Sequence, residues 1–171
     1  MKKEKIKVYD WKQYYKFEEN AGSDLFLTEH FDECTAAPDT FVYNIPSRFN
    51  YLKGFILASV AKVTLNNGNS VNLIVTDDGF AKLPRTVRLF LLSHEVGHVL
   101  NGDLEKETVA LKTYSRAFGV LPKMEVEADR YAASVVGLDA AKRSILYLVH
   151  KTNLPFSTKV EFMRRYYKLA K

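Results

Sequence analysis

The stretch PRTVRLFLLSHEVGHVLNG, residues 84–102, decides the fold of this chain. Its apolar residues recur at helical spacing, Pro84 suits a first helical turn, and the closing asparagine and glycine suit a helix end. Because apolar residues cover most sides of the predicted helix, we expect the helix to be buried. His94 and His98 lie four residues apart on it, so both imidazoles share one face.

The motif HEVGH at residues 94–98 has the residue types and the spacing of a catalytic metal site. Two histidines on one helical face can bind a single metal ion, and buried histidines need such a polar partner. Glu95 projects about 100° further round the helix and can reach a water molecule at the metal without binding the metal itself. The pattern therefore predicts zinc-assisted hydrolysis of an amide, with Glu95 as the general base.

Length and composition predict one soluble globular domain over residues 1–171, with 47% hydrophobic and 26% charged residues. Cys34 is the only cysteine, which excludes a disulfide framework and a cysteine-based zinc site and favours a reducing compartment. The most apolar windows, 55–63 and 87–100, are too short or too charged to cross a bilayer. We therefore expect a cytoplasmic protein without a membrane partner.

The pattern of apolar residues changes along the chain, and this change predicts an α+β fold. Residues 41–76 favour strands, and the polar run at 66–69 predicts a β-hairpin between the last two of them. We expect a small antiparallel or mixed sheet packed on the active-site helix, followed by a helical C-terminal half. The predicted strands are 41–45, 55–65 and 71–76, and the predicted later helices are 123–136 closed by Gly137, 139–151, and 157–170 capped by Ser157, with a further helix at 11–19.

A catalytic zinc site needs a third protein ligand, and the segment 124–133 offers three carboxylates. Glu125 and Asp129 are four residues apart and share a helical face with two alanines, small residues that let another helix approach closely. We expect Glu125 to be the third ligand. Asp129 is then placed to accept a hydrogen bond from a ligand histidine, which would orient its ring. Glu127 points the opposite way and should face solvent.

HExxH followed by ExxAD resembles the gluzincin metallopeptidases over about residues 70–136. The chain is similar in particular to the HtpX/CAAX-protease group and to the soluble ImmA/IrrE-type peptidases. The resemblance implies a zincin-like fold, one zinc ion and a zinc-dependent endopeptidase that acts on a peptide or protein substrate. It also implies that strand 71–76 is an edge strand that pairs with an extended peptide. The chain lacks the membrane-spanning segments of the first group and the helix-turn-helix that some members of the second carry.

Two other classes of function compete with the peptidase interpretation. A regulatory or binding protein could keep the zinc fold without turnover, but the intact Glu95 argues against it, because a non-catalytic zinc site needs no base. A nucleic-acid-binding protein could use a basic cluster on the last predicted helix in a chain of net charge +5, although a basic face is more often simply solvated. The members of that cluster are Arg164, Arg165, Lys168 and Lys171.

A peptidase also needs a donor that stabilises the oxyanion, and the sequence offers candidates only by residue type. These are His150, Tyr131, Tyr114 and Tyr147, for each of which an ordinary structural role is the commoner alternative. His30 and Cys34 lie close in sequence, but we interpret them as an incidental pair in a loop and not as metal ligands.

Overall fold

The computed structural model describes residues 7–8, 37, 40–45, 58–64, 70–105 and 123–169. These residues form an α+β arrangement of one small sheet and five helices, which confirms the predicted class. The strands are β1 (Lys7–Val8), β2 (Thr40–Ile45), β3 (Ala58–Thr64) and β4 (Ser70–Asp77). The helices are α1 (Asp78–Ala81), α2 (Arg85–Leu100), α3 (Lys123–Val136), α4 (Leu138–Lys151) and α5 (Phe156–Leu169).

The sheet is mixed, with the strand order β1-β2-β4-β3. β1, β2 and β4 run parallel, whereas β3 pairs with β4 in antiparallel fashion with Thr64 opposite Ser70, as the hairpin prediction required. The turn residues 66–69 lie outside the described residues. The expectation that strand 71–76 is an edge strand is wrong. β4 lies between β2 and β3, because β2 adds to it from a distant part of the chain. The edge strands in the described part of the sheet are β1 and β3.

Helix α2 lies in the centre of the fold between the sheet and the later helices, as its apolar sequence predicted. The core includes Val42 and Ile74 from the sheet, Phe90 and Leu92 from α2, and Ile145 from α4, all of them fully buried. The helix begins after Pro84 and ends at Leu100. Burial on most sides leaves little freedom for the polar residues that α2 carries, so their positions are set by the packing of the core.

The boundaries of the later helices follow the sequence signals closely, with one exception. α3 covers the predicted range and is followed by Gly137 with a φ of 89°, a value that favours glycine. α5 begins at Phe156, so the prediction that Ser157 caps this helix is wrong. The N–H of Lys159 donates to the carbonyl of Pro155 at 3.0 Å, which makes Pro155 the residue that accepts the first helical bond.

Some predictions fall on residues that the structure does not describe. These are the helix at 11–19, His30, Cys34, Tyr114 and Lys171. Across the described ranges, no helix combines the length and the apolar character that crossing a membrane would require.

Candidate metal centre

Helix α2 presents His94 and His98 on one buried face. The two residues are only 4% and 6% exposed, and their rings are nearly perpendicular at an interplanar angle of 87°. The two Nε2 atoms lie 3.1 Å apart. The helical spacing of four residues therefore points both ring nitrogens at the same small volume, as the sequence predicted.

Helix α3 reaches this volume because small residues meet where α2 and α3 cross. A Cβ atom added at Gly97 would lie 2.9 Å from the Cα of Ala128, closer than real Cβ atoms approach a backbone atom. The glycine between the two histidines thus lets α3 lie directly against α2. Glu125 is one turn before Ala128 on α3, so the close crossing brings its carboxylate to the histidines.

The three atoms that face one another form a triangle of the size that a metal ion requires. Glu125 Oε2 lies 3.3 Å from His94 Nε2 and 3.9 Å from His98 Nε2, which closes the triangle with the 3.1 Å between the nitrogens. A tetrahedral ion with bonds of about 2.0–2.2 Å holds its ligand atoms about 3.3–3.6 Å apart. These residues could therefore hold one metal ion. Two imidazoles and a carboxylate suit zinc and other first-row divalent ions.

Asp129 lies behind His94, on the side away from the triangle. Its Oδ1 is 2.9 Å from His94 Nδ1, and the residue is fully buried. A carboxylate in this position accepts a hydrogen bond from Nδ1–H, so Nε2 is the nitrogen that could bind a metal after losing its proton. Glu127 instead makes an ion pair with Lys123 at 3.3 Å on the partly exposed side of α3, apart from the other two carboxylates of this segment.

Asp103 supports the second histidine, and sequence reasoning missed it. Its buried carboxylate lies 3.0 Å from His98 Nδ1. The contact follows from the way in which α2 ends. The N–H of Gly102 donates to the carbonyl of Val99 and that of Asp103 to the carbonyl of His98, while Gly102 has a φ of 65°. This Schellman ending folds the chain back under the helix. The Asn-Gly stop signal was recognised in the sequence, but its consequence for the next residue was not.

Arg165 also belongs to this centre, and its assignment to an exposed basic cluster is wrong. The residue is 5% exposed, and its guanidinium donates two hydrogen bonds to Asp129. Nη2 lies 3.0 Å from His94 Nδ1, and Nη1 lies 3.6 Å from Glu125 Oε2. Arg164 and Lys168 on the same helix are exposed. The inward direction of Arg165 could have been predicted only from its helical phase, that is, from the apolar residues three and four positions away.

The charges in this buried group change one another's proton affinities. Burial and the positive charge of Arg165 favour neutral His94, but hydrogen bonds to Asp129 and Glu125 outweigh both and raise the pKa of His94 to about 9. Burial would raise the pKa values of Glu125 and Asp129, yet His94 and Arg165 hold both well below their usual range. The two carboxylates therefore stay ionised at neutral pH, the form that binds metal ions and accepts hydrogen bonds.

The structure also describes Glu95 and three of the four candidate oxyanion donors. Glu95 is buried on α2 directly beside His94. His150 is exposed in the last turn of α4, and Tyr131 and Tyr147 pack in part against the hydrophobic core.

Comparisons with known proteins find no family model, curated protein or solved structure that matches the sequence. The likeness to gluzincin peptidases therefore rests on the two short motifs alone, and the function has to be argued from the residues of the centre.

Proposed function

We propose that this protein is a zinc-dependent endopeptidase of zincin-like fold with one zinc ion per chain. The observation that carries the proposal is the triangle of His94 Nε2, His98 Nε2 and Glu125 Oε2, whose edges of 3.1, 3.3 and 3.9 Å bracket the spacing of about 3.3–3.6 Å around a tetrahedral ion. Three protein ligands leave one position for the reaction, which is the arrangement of catalytic zinc sites.

Five residues would hold and orient the ion. His94, His98 and Glu125 would bind it, while Asp129 and Asp103 accept hydrogen bonds from the two ring nitrogens that face away from it. A bound zinc ion supplies Lewis acidity, which polarises a carbonyl and brings the pKa of water towards neutral pH. The carboxylates behind the histidines keep each ring in the tautomer whose Nε2 is free to bind.

Glu95 performs the proton transfers in this mechanism. It takes a proton from water as the water oxygen forms a bond to the scissile carbonyl carbon, and it delivers that proton to the amine nitrogen as the C–N bond breaks. Its position follows from the sequence, because the residue after His94 lies on α2 next to the ligand face. A zinc site without turnover needs no carboxylate here, so Glu95 favours the enzyme over a zinc-fold binding protein.

An extended peptide is the substrate that the fold suits best. Of the two edge strands in the described sheet, β3 is the one that packs against α2, so a peptide strand could add to it by main-chain hydrogen bonds. A groove of about 420 Å³ lies beside it, lined by residues of β3, β4 and the turn that ends α2. This assigns to β3 the role that the resemblance implied for strand 71–76.

A nucleic-acid-binding function is the second candidate, and the structure weakens its basis. Arg165 is buried against Asp129, which removes one of the four cations counted on the last helix. The exposed cations Arg164 and Lys168 remain, but nothing among the described contacts distinguishes them from an ordinary solvated surface.

The test is the Glu95→Gln variant, compared with wild type for zinc content and for cleavage of an unfolded reporter protein such as casein. We expect one zinc per chain in both proteins and a fall in cleavage rate of about 10²–10⁴-fold in the variant, because the general base is lost. Glu127→Gln, a matched change on the partly exposed side of α3, should leave both quantities unchanged. A wild-type protein that binds zinc but cleaves nothing, or a Glu95→Gln variant of full activity, contradicts the proposal.

A further inference from the structure

Arg165 is a buried cation delivered to the metal centre by the last helix. It lies on α5, is 5% exposed, and its guanidinium carbon is 4.7 Å from the centre of the Phe162 ring. A buried guanidinium is costly unless its hydrogen bonds and its charge are compensated. The compensation here comes from the carboxylates of α3, so α5 is tied to the centre by charge as well as by packing.

The contact between Arg165 and Asp129 has the geometry of a fork. Nε donates to Oδ2 at 2.8 Å, and Nη2 donates to Oδ1. Two parallel hydrogen bonds fix the plane of the carboxylate as well as its position. A lysine ammonium carries the same charge but has no such fork, so it cannot fix that plane.

The fixed carboxylate in turn contacts a candidate metal ligand. Asp129 Oδ1 lies 2.9 Å from His94 Nδ1, and this contact sets the rotation of the ring whose Nε2 faces the triangle. If the carboxylate rotated, Oδ1 would leave the imidazole, and the ring would lose its orientation. These contacts run from α5 through α3 to α2 and join buried side chains, beside a direct approach of Arg165 Nη2 to His94 Nδ1 at 3.0 Å.

We propose that Arg165 is a positioning residue of the metal centre: it holds the Asp129 carboxylate in the plane that orients His94 towards the metal. The inference rests on the proposed zinc function and adds α5 to the parts of the fold that the centre requires. A merely structural ion pair would tolerate any carboxylate rotation that kept the charges close. The two hydrogen bonds from Arg165, together with the contact of Oδ1 with His94, allow only one orientation of the Asp129 carboxylate.

The test uses cobalt(II) as a spectroscopic probe in place of zinc. Its visible absorption bands report the ligand geometry, which a purely structural role of Arg165 would leave unchanged. The variants are Arg165→Met, Arg165→Lys and, as a matched control, Arg164→Met, which removes an exposed arginine from the same helix. In Arg165→Met we expect altered bands at saturating cobalt, and in its zinc form a kcat about 10–100-fold lower with KM changed less than twofold. Arg165→Lys should fall between it and wild type, and Arg164→Met should match wild type.

Repeating the Arg165→Met substitution in the Asp129→Asn variant shows whether Arg165 acts through Asp129. In Asp129→Asn the relay is already broken, so adding Arg165→Met should not change the cobalt bands further. The double variant also removes both buried charges together, which costs less stability than removing one of them. If Arg165→Met alone does not fold, Arg165→Lys keeps the buried charge without the fork, so altered cobalt bands in that variant support the inference and wild-type bands overturn it.

The outcomes separate this inference from the proposed function. If wild type binds cobalt and Arg165→Met shows the wild-type bands and kcat, the inference is overturned and the zinc site stands. If Arg165→Met changes the bands as strongly in the Asp129→Asn background, Arg165 acts by another route and the inference is likewise overturned. A wild-type protein that binds neither metal overturns the proposed function and the inference with it.

Discussion

The two histidines of the centre are supported in different ways. His98 is held by Asp103, five residues further along the chain, through the turn that ends its own helix. His94 is held by Asp129 on α3, which is held in turn by Arg165 on α5. One support is local and depends on a single backbone turn, whereas the other joins three helices through buried charges.

This difference shows which of the two histidine supports depends on the packing of the whole fold. The local support needs only the helix ending, whose backbone hydrogen bonds form within five residues. The distant support needs α3 and α5 to be packed before its charges are compensated, and breaking it leaves a charge buried without a partner. We therefore expect the His94 side to respond more strongly to substitution than the His98 side.

The largest effect should come from Asp129→Asn, compared with Asp103→Asn. Loss of the Asp129 charge leaves Arg165 buried without its main partner, so the free energy of unfolding should fall by about 3–5 kcal/mol. Asp103→Asn removes one hydrogen bond to His98 and should cost about 1–2 kcal/mol. Urea unfolding of the two variants in chelator measures both values. Equal losses would show that the two supports are equivalent, and the comparison would fail.

The pH dependence of the metal-free protein should be dominated by the His94 side. Because the pKa of His94 is raised from 6.5 to about 9, its contribution to stability is complete below pH 6.5 and is lost as pH rises to about 9. The lowered pKa values of Glu125 and Asp129 contribute stability above about pH 4.5, which is lost as pH falls through their folded values. The alkaline loss should be on the order of 3 kcal/mol.

Urea unfolding in chelator between pH 3 and pH 10 checks this profile. Maximum stability should lie between about pH 4.5 and 6.5, the window that these shifts define. Asp129→Asn removes a group that raises the pKa of His94, so its alkaline loss should be smaller, while Asp103→Asn should keep the loss of wild type. A flat profile above pH 6.5 would mean that His94 lacks the charged partners described.

The smallest of these effects should come from substituting two glycines, one at the crossing of α2 and α3 and one in the turn that ends α2. Gly97→Ala places a Cβ against the backbone of Ala128 and should cost about 1–3 kcal/mol, while moving Glu125 away from the histidines. Gly102→Ala keeps that crossing but strains a residue with a φ of 65°, at a cost of about 1–2 kcal/mol. Zinc titration should show a larger loss of affinity for Gly97→Ala. The reverse order would place the critical contact in the turn and not in the helix crossing.

The sequence predicted the parts of the centre that depend on short-range spacing. The two histidines, Glu95 beside them, and Glu125 with Asp129 on one face of α3 all follow from helical periodicity. The contact of Asp103 could have been predicted as well, because a residue just after a glycine that ends a helix folds back towards the last turn. Arg165 was harder to predict, because a basic residue among basic neighbours is ordinarily solvated. Only its helical phase with the buried Phe162 and Leu169 points inward, and its partner depends on how α5 packs against α3. The inner position of β4 was missed for the same reason, since parallel pairing with β2 joins distant parts of the chain.

The most direct test of the central claim is the zinc stoichiometry of wild type, Glu125→Gln and Glu127→Gln, measured by elemental analysis after dialysis against a weak chelator. The two glutamates lie two residues apart on α3, but only Glu125 lies within 4.8 Å of both histidines. We predict one zinc per chain for wild type and Glu127→Gln and far less than one for Glu125→Gln. Equal zinc content in all three proteins, or none in wild type, would contradict the metal centre described.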